Sequence, residues 1–200
     1  MYNMRFTTGT GTRRVMPRRV DAAERDRAIR SATLRVIARE GVGRVTIRGV
    51  AAELGTSTTA VTHYVATRDA LLEQSIGQAL EARKEELRQL VADAEDPLWA
   101  AILWSVDADP DGLWPALVAA RAAGIEPVVT KLVDEFDEWW TRLITDFARG
   151  RAAPGLSPSE VADAVGIVVD GLLLGAGAGS GPSGHRHHLT RVLVRPLLAT

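Results

Sequence analysis

The stretch from Thr46 to Leu72, T-I-R-G-V-A-A-E-L-G-T-S-T-T-A-V-T-H-Y-V-A-T-R-D-A-L-L, constrains the chain more than any other. Ile47, Val50, Ala51 and Leu54 fall at i, i+3, i+4 and i+7, a spacing that gathers apolar side chains onto one helical face. The expectation is a helix of about two turns. Gly55 stands where a helix commonly needs a left-handed residue just past its end, and Ser57 where a hydroxyl accepts a bond from an unpaired N–H of the next helix. In that second helix Ala60, Val61, Tyr64 and Val65 share one face, and Thr58, Thr59, Thr62 and His63 share the other. Two short helices joined by a glycine-containing turn, the second with a short polar outer face, describe a helix-turn-helix whose second helix fits a DNA major groove. The same residues also suit a helical hairpin inside any all-α bundle.

The flanks add an ordered set. Thr46 opens the second helix, Ala51, Ala52 and Gly55 form a small core, Tyr64 lies near the end of the recognition helix and Arg68 just before the fourth helix. Between about Asp21 and Glu81 this order resembles the N-terminal domain of TetR-family transcriptional regulators, over about a third of the chain. Val65 departs from the more usual Phe, and Thr62 and His63 occupy a commonly aromatic or His-rich pair, departures that bear on which bases are read rather than on the fold. The resemblance implies an all-α chain of about nine helices. A disordered basic arm over 1–20 would precede a three-helix helix-turn-helix DNA-binding domain over 21–68 and a helical ligand-binding and dimerisation domain over 69–200. It also implies Thr46 and Tyr64 on backbone phosphates, Arg68 adding charge nearby, and Arg48 as a candidate for a guanine edge. With Ser57, Thr58, Thr59, Thr62 and His63 these residues make the expected DNA-binding set. For each arginine the plain alternative is a solvated surface charge.

Charge distribution bears on the same question. The formal net charge is −1, yet residues 1–68 hold 13 Arg against 5 acidic residues, a net of +8 that leaves −9 for the rest. A basic front on an acidic back suits a chain whose first part meets a polyanion. Arg13, Arg14, Arg18 and Arg19 belong to the aperiodic N-terminal segment, which reads either as a DNA-tracking arm or as an idle tail. There is no cysteine, which excludes disulfides and thiolate zinc sites and is compatible with a cytoplasmic protein. The longest apolar run, Val161 to Ala178, carries Asp163, Asp170 and several glycines, so no membrane span is expected.

The remainder reads as helices. A helix from about Ala22 to Glu40 buries Ile29, Ala32, Thr33, Val36 and Ile37, with Arg25, Arg27, Arg30, Arg35 and Arg39 outside. A fourth runs from near Asp69 to about Ala94 on Leu71, Leu72, Ile76, Ala79, Leu80, Leu87 and Leu90, and others begin after Pro97 and at Leu113. Pro127 opens a long helix with a wide apolar stripe ending at Gly150. Trp99, Trp104, Trp114, Phe136, Trp139 and Trp140 are either core or the lining of a pocket for a largely apolar small molecule. Ser157, Pro158 and Glu160 spell a capping box, and the helix they open is so apolar that it needs burial on two sides. Val165, Val169, Leu172, Leu173 and Val192 are accordingly expected at a homodimer interface, which the resemblance places on the last two long helices. His185, His187 and His188, assigned to a Gly-rich turn before a final helix, lack a His or Cys partner at helical spacing, so no metal site is assigned. No catalytic constellation, phosphate loop or cofactor motif is visible. The expectation is a ligand-responsive, homodimeric repressor released from a palindromic double-stranded operator by a small molecule. The rival is a small all-helical enzyme or small-molecule carrier that does not bind DNA.

Overall fold

The computed structural model describes residues 22–107, 112–124, 126–175 and 183–199. The N-terminal arm, most of the D-A-D-P-D-G break and most of the Gly-rich connection near residue 180 lie outside them. Among the described residues there are nine α-helices and no β-strand, only one isolated bridge between Ala152 and Leu198. The helices are α1 (Ala22–Glu40), α2 (Ile47–Glu53), α3 (Thr58–Thr62), α4 (Arg68–Ala92), α5 (Pro97–Asp107), α6 (Leu113–Ala123), α7 (Pro127–Ala148), α8 (Pro158–Gly175) and α9 (Ser183–Val194). Short 3-10 turns over Val42–Arg44 and Arg195–Leu197 complete the chain.

Local chemistry sets most boundaries. The Thr46 and Thr67 hydroxyls accept the backbone N–H groups of Gly49 and Ala70 at 2.9 and 3.1 Å, opening α2 and α4. Each such cap is worth about 1 kcal/mol. The capping box at α8 is complete: the Ser157 N–H donates to the Glu160 carboxylate at 2.8 Å, and the Glu160 N–H returns a bond to the Ser157 hydroxyl at 3.2 Å. Gly55 and Gly124 hold φ of 62° and 65°, the left-handed backbone that ends α2 and α6 without a Cβ clash.

One buried cluster runs from Ile29 to Leu198. In α1 it takes Ile29, Ala32, Thr33, Val36 and Ile37, the stripe its spacing predicts. Helix α4 packs on α1 at its start and on α5 and α7 further along, so a single 25-residue rod belongs to both the first three helices and the body. At its far end the apolar stripe outruns the core, because Leu87 is buried but Leu90 is exposed. Helices α7 and α8 lie side by side, with α6 covering α7, and α9 closing over α5 and α8.

Two expectations change here. α9 starts at Ser183, so His185, His187 and His188 are helical rather than in a turn. Packing against α5 holds that first turn, where the His187 ring meets the Asp107 carboxylate. In α8, Val165, Val169 and Leu173 are buried in the subunit's own core, which removes them from a surface a second copy can reach, while Leu172 packs against that core half-buried. The apolar side chains left outside are Ile167, 74% exposed, and Leu174 on α8, with Val192, 55% exposed, and Leu193 on α9. Of the expected interface set, Val192 is exposed and Leu172 half-buried.

Candidate nucleic-acid interface and body cavity

The two-helix unit is built from the inside out. Val50, Ala51, Val61 and Val65 are buried, and Ile47, Leu54 and Tyr64 pack on them half-buried. That leaves Thr58, Thr59 and Thr62 exposed on α3 and His63 exposed at its C-cap, with Arg48 exposed on the preceding helix α2. The Ser57 hydroxyl accepts the Ala60 N–H at 3.2 Å, and the Thr62 hydroxyl donates to the Thr59 carbonyl at 3.2 Å. Thr58 and Thr59 keep their hydroxyls on the surface. His63 stands edge-on to the Tyr64 ring, centroids 5.3 Å apart. Gly49 brings α2 close to its cap: a Cβ there would lie 3.1 Å from the Thr46 hydroxyl oxygen.

Several arginines of the basic front are committed inside the protein. Arg35 and Arg39 on α1 both reach the Glu53 carboxylate at the end of α2, at 2.8 and 3.1 Å, and these bonds hold that carboxyl below its usual range. Arg30 pairs with Asp26. Arg68 differs most from expectation. Its Nε donates to the Val45 carbonyl at 2.7 Å, Nη2 to the Val42 carbonyl at 2.9 Å, and Nη1 and Nη2 to the two Glu126 carboxylate oxygens at 2.9 and 2.7 Å. With Glu126 neutralising it, Arg68 is a fastener rather than a free positive charge offered to a phosphate. It ties the α1–α2 turn and the start of α4 to the residue that precedes α7. The Arg68 hydrogen bonds hold the Glu126 carboxyl below its ordinary value.

The body holds a half-open cavity of about 310 Å³ between α4, α5, α6, α7 and α8. Trp104, Trp114, Phe136 and Trp140 line it, as expected from their spacing. Trp99 and Trp139 do not: Trp99 lies under Arg191, and Trp139 under Lys84 and Arg88, both half-buried at the outer side of their helices. The Trp114 indole N–H donates to Asp170 at 3.1 Å and that of Trp140 to the Ser105 hydroxyl at 2.9 Å, which fixes both ring planes. The wall also carries Asp137, Asp163 and Asp170 of α7 and α8 and Arg83 of α4, none of which was among the expected cavity residues. Burial pushes the Asp137 carboxyl up against the pull of its Arg121 partner. Among the described residues no group of three His, Asp or Glu side chains is placed to hold a metal ion, and no helix is long and apolar enough to cross a membrane.

A capped two-helix reader with a wet polar face, mounted by one long helix on a helical body with a cavity, defines a helix-turn-helix regulator of transcription. Residues 29–74 match the family model described as bacterial regulatory proteins, tetR family. The N-terminal part of the chain is thus similar to that family's DNA-binding domain, which supports a DNA-binding transcriptional regulator over the enzyme or carrier alternative. Solved structures share the fold over nearly the whole chain. A TetR-family transcriptional regulator from Agrobacterium tumefaciens aligns with a TM-score of 0.75 at 17% identity, over 88% of this chain and 99% of that one. NalD of Pseudomonas aeruginosa, the secondary repressor of the MexAB-OprM multidrug efflux pump, gives 0.69 at 17% identity, over 89% and 97%. A protein from Saccharomonospora viridis assigned as a transcriptional regulator, solved in complex with choline, gives 0.75 at 19% identity, over 89% and 100%. No curated protein matches the sequence.

Proposed function

We propose that the protein is a cytoplasmic, homodimeric repressor that leaves a palindromic operator when a small molecule fills the body cavity. In this reading residues 21–68 form the DNA-binding domain and 69–200 the effector and dimerisation domain. Each subunit places Ser57 to Tyr64 in one major groove, with half-sites about one helical turn or a multiple apart. Thr58, Thr59, Thr62 and His63 meet base edges, and Arg48 takes a guanine. The Thr46 and Tyr64 hydroxyls meet phosphates, the former still having its proton to donate while its oxygen caps α2. The observation that carries this is the exposed polar face of α3, on which none of the described elements packs.

Release needs two states with different effector affinity, and a coupling of about 1–3 kcal/mol is typical of such systems. The cavity's size lies within the range of small-molecule sites. The choline complex and the efflux-pump repressor named above have this fold, and both accord with effector-controlled repression. A mobility shift on genomic fragments at two salt concentrations tests the DNA reading, since affinity must fall steeply as salt rises. Arg48→Ala and Thr59→Ala are each expected to weaken the specific complex about 10- to 100-fold, as loss of a good base contact does, without altering the oligomer. Parental affinity in both variants would remove α2 and α3 as the reading surface.

A further inference from the structure

We infer that the cavity's occupant is an organic cation, an ammonium-type group carried on an apolar body; this rests on reading the cavity as the effector site. Its wall brings together Trp114, Phe136 and Trp140 with the carboxylates of Asp163 and Asp170. Ring faces attract a positive charge through their quadrupole, and the attraction grows as water is excluded. The protein already uses this chemistry at the same cavity, where the Arg83 guanidinium lies 5.7 Å from the centroid of Trp104.

The carboxylates decide the sign. Asp163 and Asp170 are seven residues apart, two turns along one side of α8. The Trp114 indole N–H fixes one Asp170 oxygen at 3.1 Å. Neither Asp163 nor Asp170 forms an ion pair with a described cationic side chain; Arg121, which pairs with Asp137, acts on Asp170 only at longer range, and among the described lining residues Arg83 is the one cation against Asp137, Asp163 and Asp170. A neutral occupant would strip water from these carboxylates and return nothing, and an anion would add repulsion. A cation adds counter-charge to this predominantly acidic wall while its apolar body covers the rings. The sequence reading of a largely apolar effector therefore gains a charged group.

Three probes of one shape class separate the possibilities in the full-length protein: phenyltrimethylammonium, its uncharged isostere tert-butylbenzene, and benzenesulfonate, each titrated by calorimetry and tryptophan fluorescence. The cation is expected to bind at least tenfold more tightly than the isostere, and the sulfonate more weakly than either. Asp170→Asn retains an acceptor for the Trp114 N–H while removing the charge, and is expected to cost the cation at least tenfold and the isostere nothing. Asp163→Asn, at an exposed position that tolerates change, is expected to cost the cation about threefold. Equal affinity for cation and isostere, or cation affinity indifferent to both substitutions, overturns the ligand class. Gly166→Leu judges the underlying reading separately. A Cβ there meets the Trp140 ring at an ordinary 3.5 Å, so the larger side chain is accommodated at its base and enters the cavity. Loss of all probe binding in Gly166→Leu locates binding in the cavity, whatever the charge preference. Undiminished binding in that variant, or no binding of any probe to the parent protein, overturns the effector-site reading and the cation with it.

Discussion

Arg68→Ala is expected to destabilise the protein by about 2–3 kcal/mol, lowering Tm by roughly 5–10 °C in thermal unfolding. The substitution leaves two backbone carbonyls, of Val42 and Val45, and a largely shielded Glu126 carboxylate without their donor. Each loss costs more than the bond contributed when made, because the abandoned acceptor stays desolvated. Partial exposure of the guanidinium moderates the figure. Arg68→Lys is expected to recover less than half, since one ammonium cannot span acceptors on two turns and both oxygens of a carboxylate. The same bonds impose an acid limit. Glu126 is held below its ordinary value of 4.5 in the folded state, so its contribution is complete above that pH and is lost as pH falls below it toward the lowered folded value. Glu126→Gln should flatten that part of the stability profile, and an unchanged profile would show that the pair contributes nothing measurable.

Ile167→Asp is expected to convert the proposed dimer to monomers in sedimentation velocity and to weaken operator binding at least a hundredfold. Ile167 and Leu174 on α8 and Val192 and Leu193 on α9 are left exposed, and a carboxylate at the most exposed of them opposes burial against a twin. Because the side chain is 74% exposed, the fold itself should lose little, within about 0.5 kcal/mol. The hundredfold figure follows from losing simultaneous engagement of two half-sites, which multiplies affinity without any new contact. A dimer of unchanged mass would place the two-fold elsewhere.

What could be read in the sequence was mostly what is decided within one or two helical turns. Thr46, Ser57 and the Ser157–Glu160 box act on N–H groups three residues away, and the stripe of α1 needs only a period. Residues whose meaning depends on distant partners were misjudged. Arg68 looks like a DNA-facing cation until Glu126, 58 positions away, is folded against it. Trp99 and Trp139 carry the same indole as Trp104 and Trp140, but their angular positions on α5 and α7 turn them from the cavity toward Arg191 and toward Lys84 and Arg88. In α8 the difficulty is different: apolar residues on nearly every side give periodicity nothing to choose between, so the inward set Val165, Val169 and Leu173 and the outward Ile167 and Leu174 separate only once α7 has taken its place. The acidic lining escaped notice because aspartates on α7 and α8 are what solvated faces ordinarily carry.

Ile167 is both the most exposed large apolar side chain and part of the cavity wall. With the two-fold on this patch, pairing and ligand choice share a border one side chain wide. Mutational drift that adapts the protein to a new molecule at this rim would also retune how its copies recognise each other.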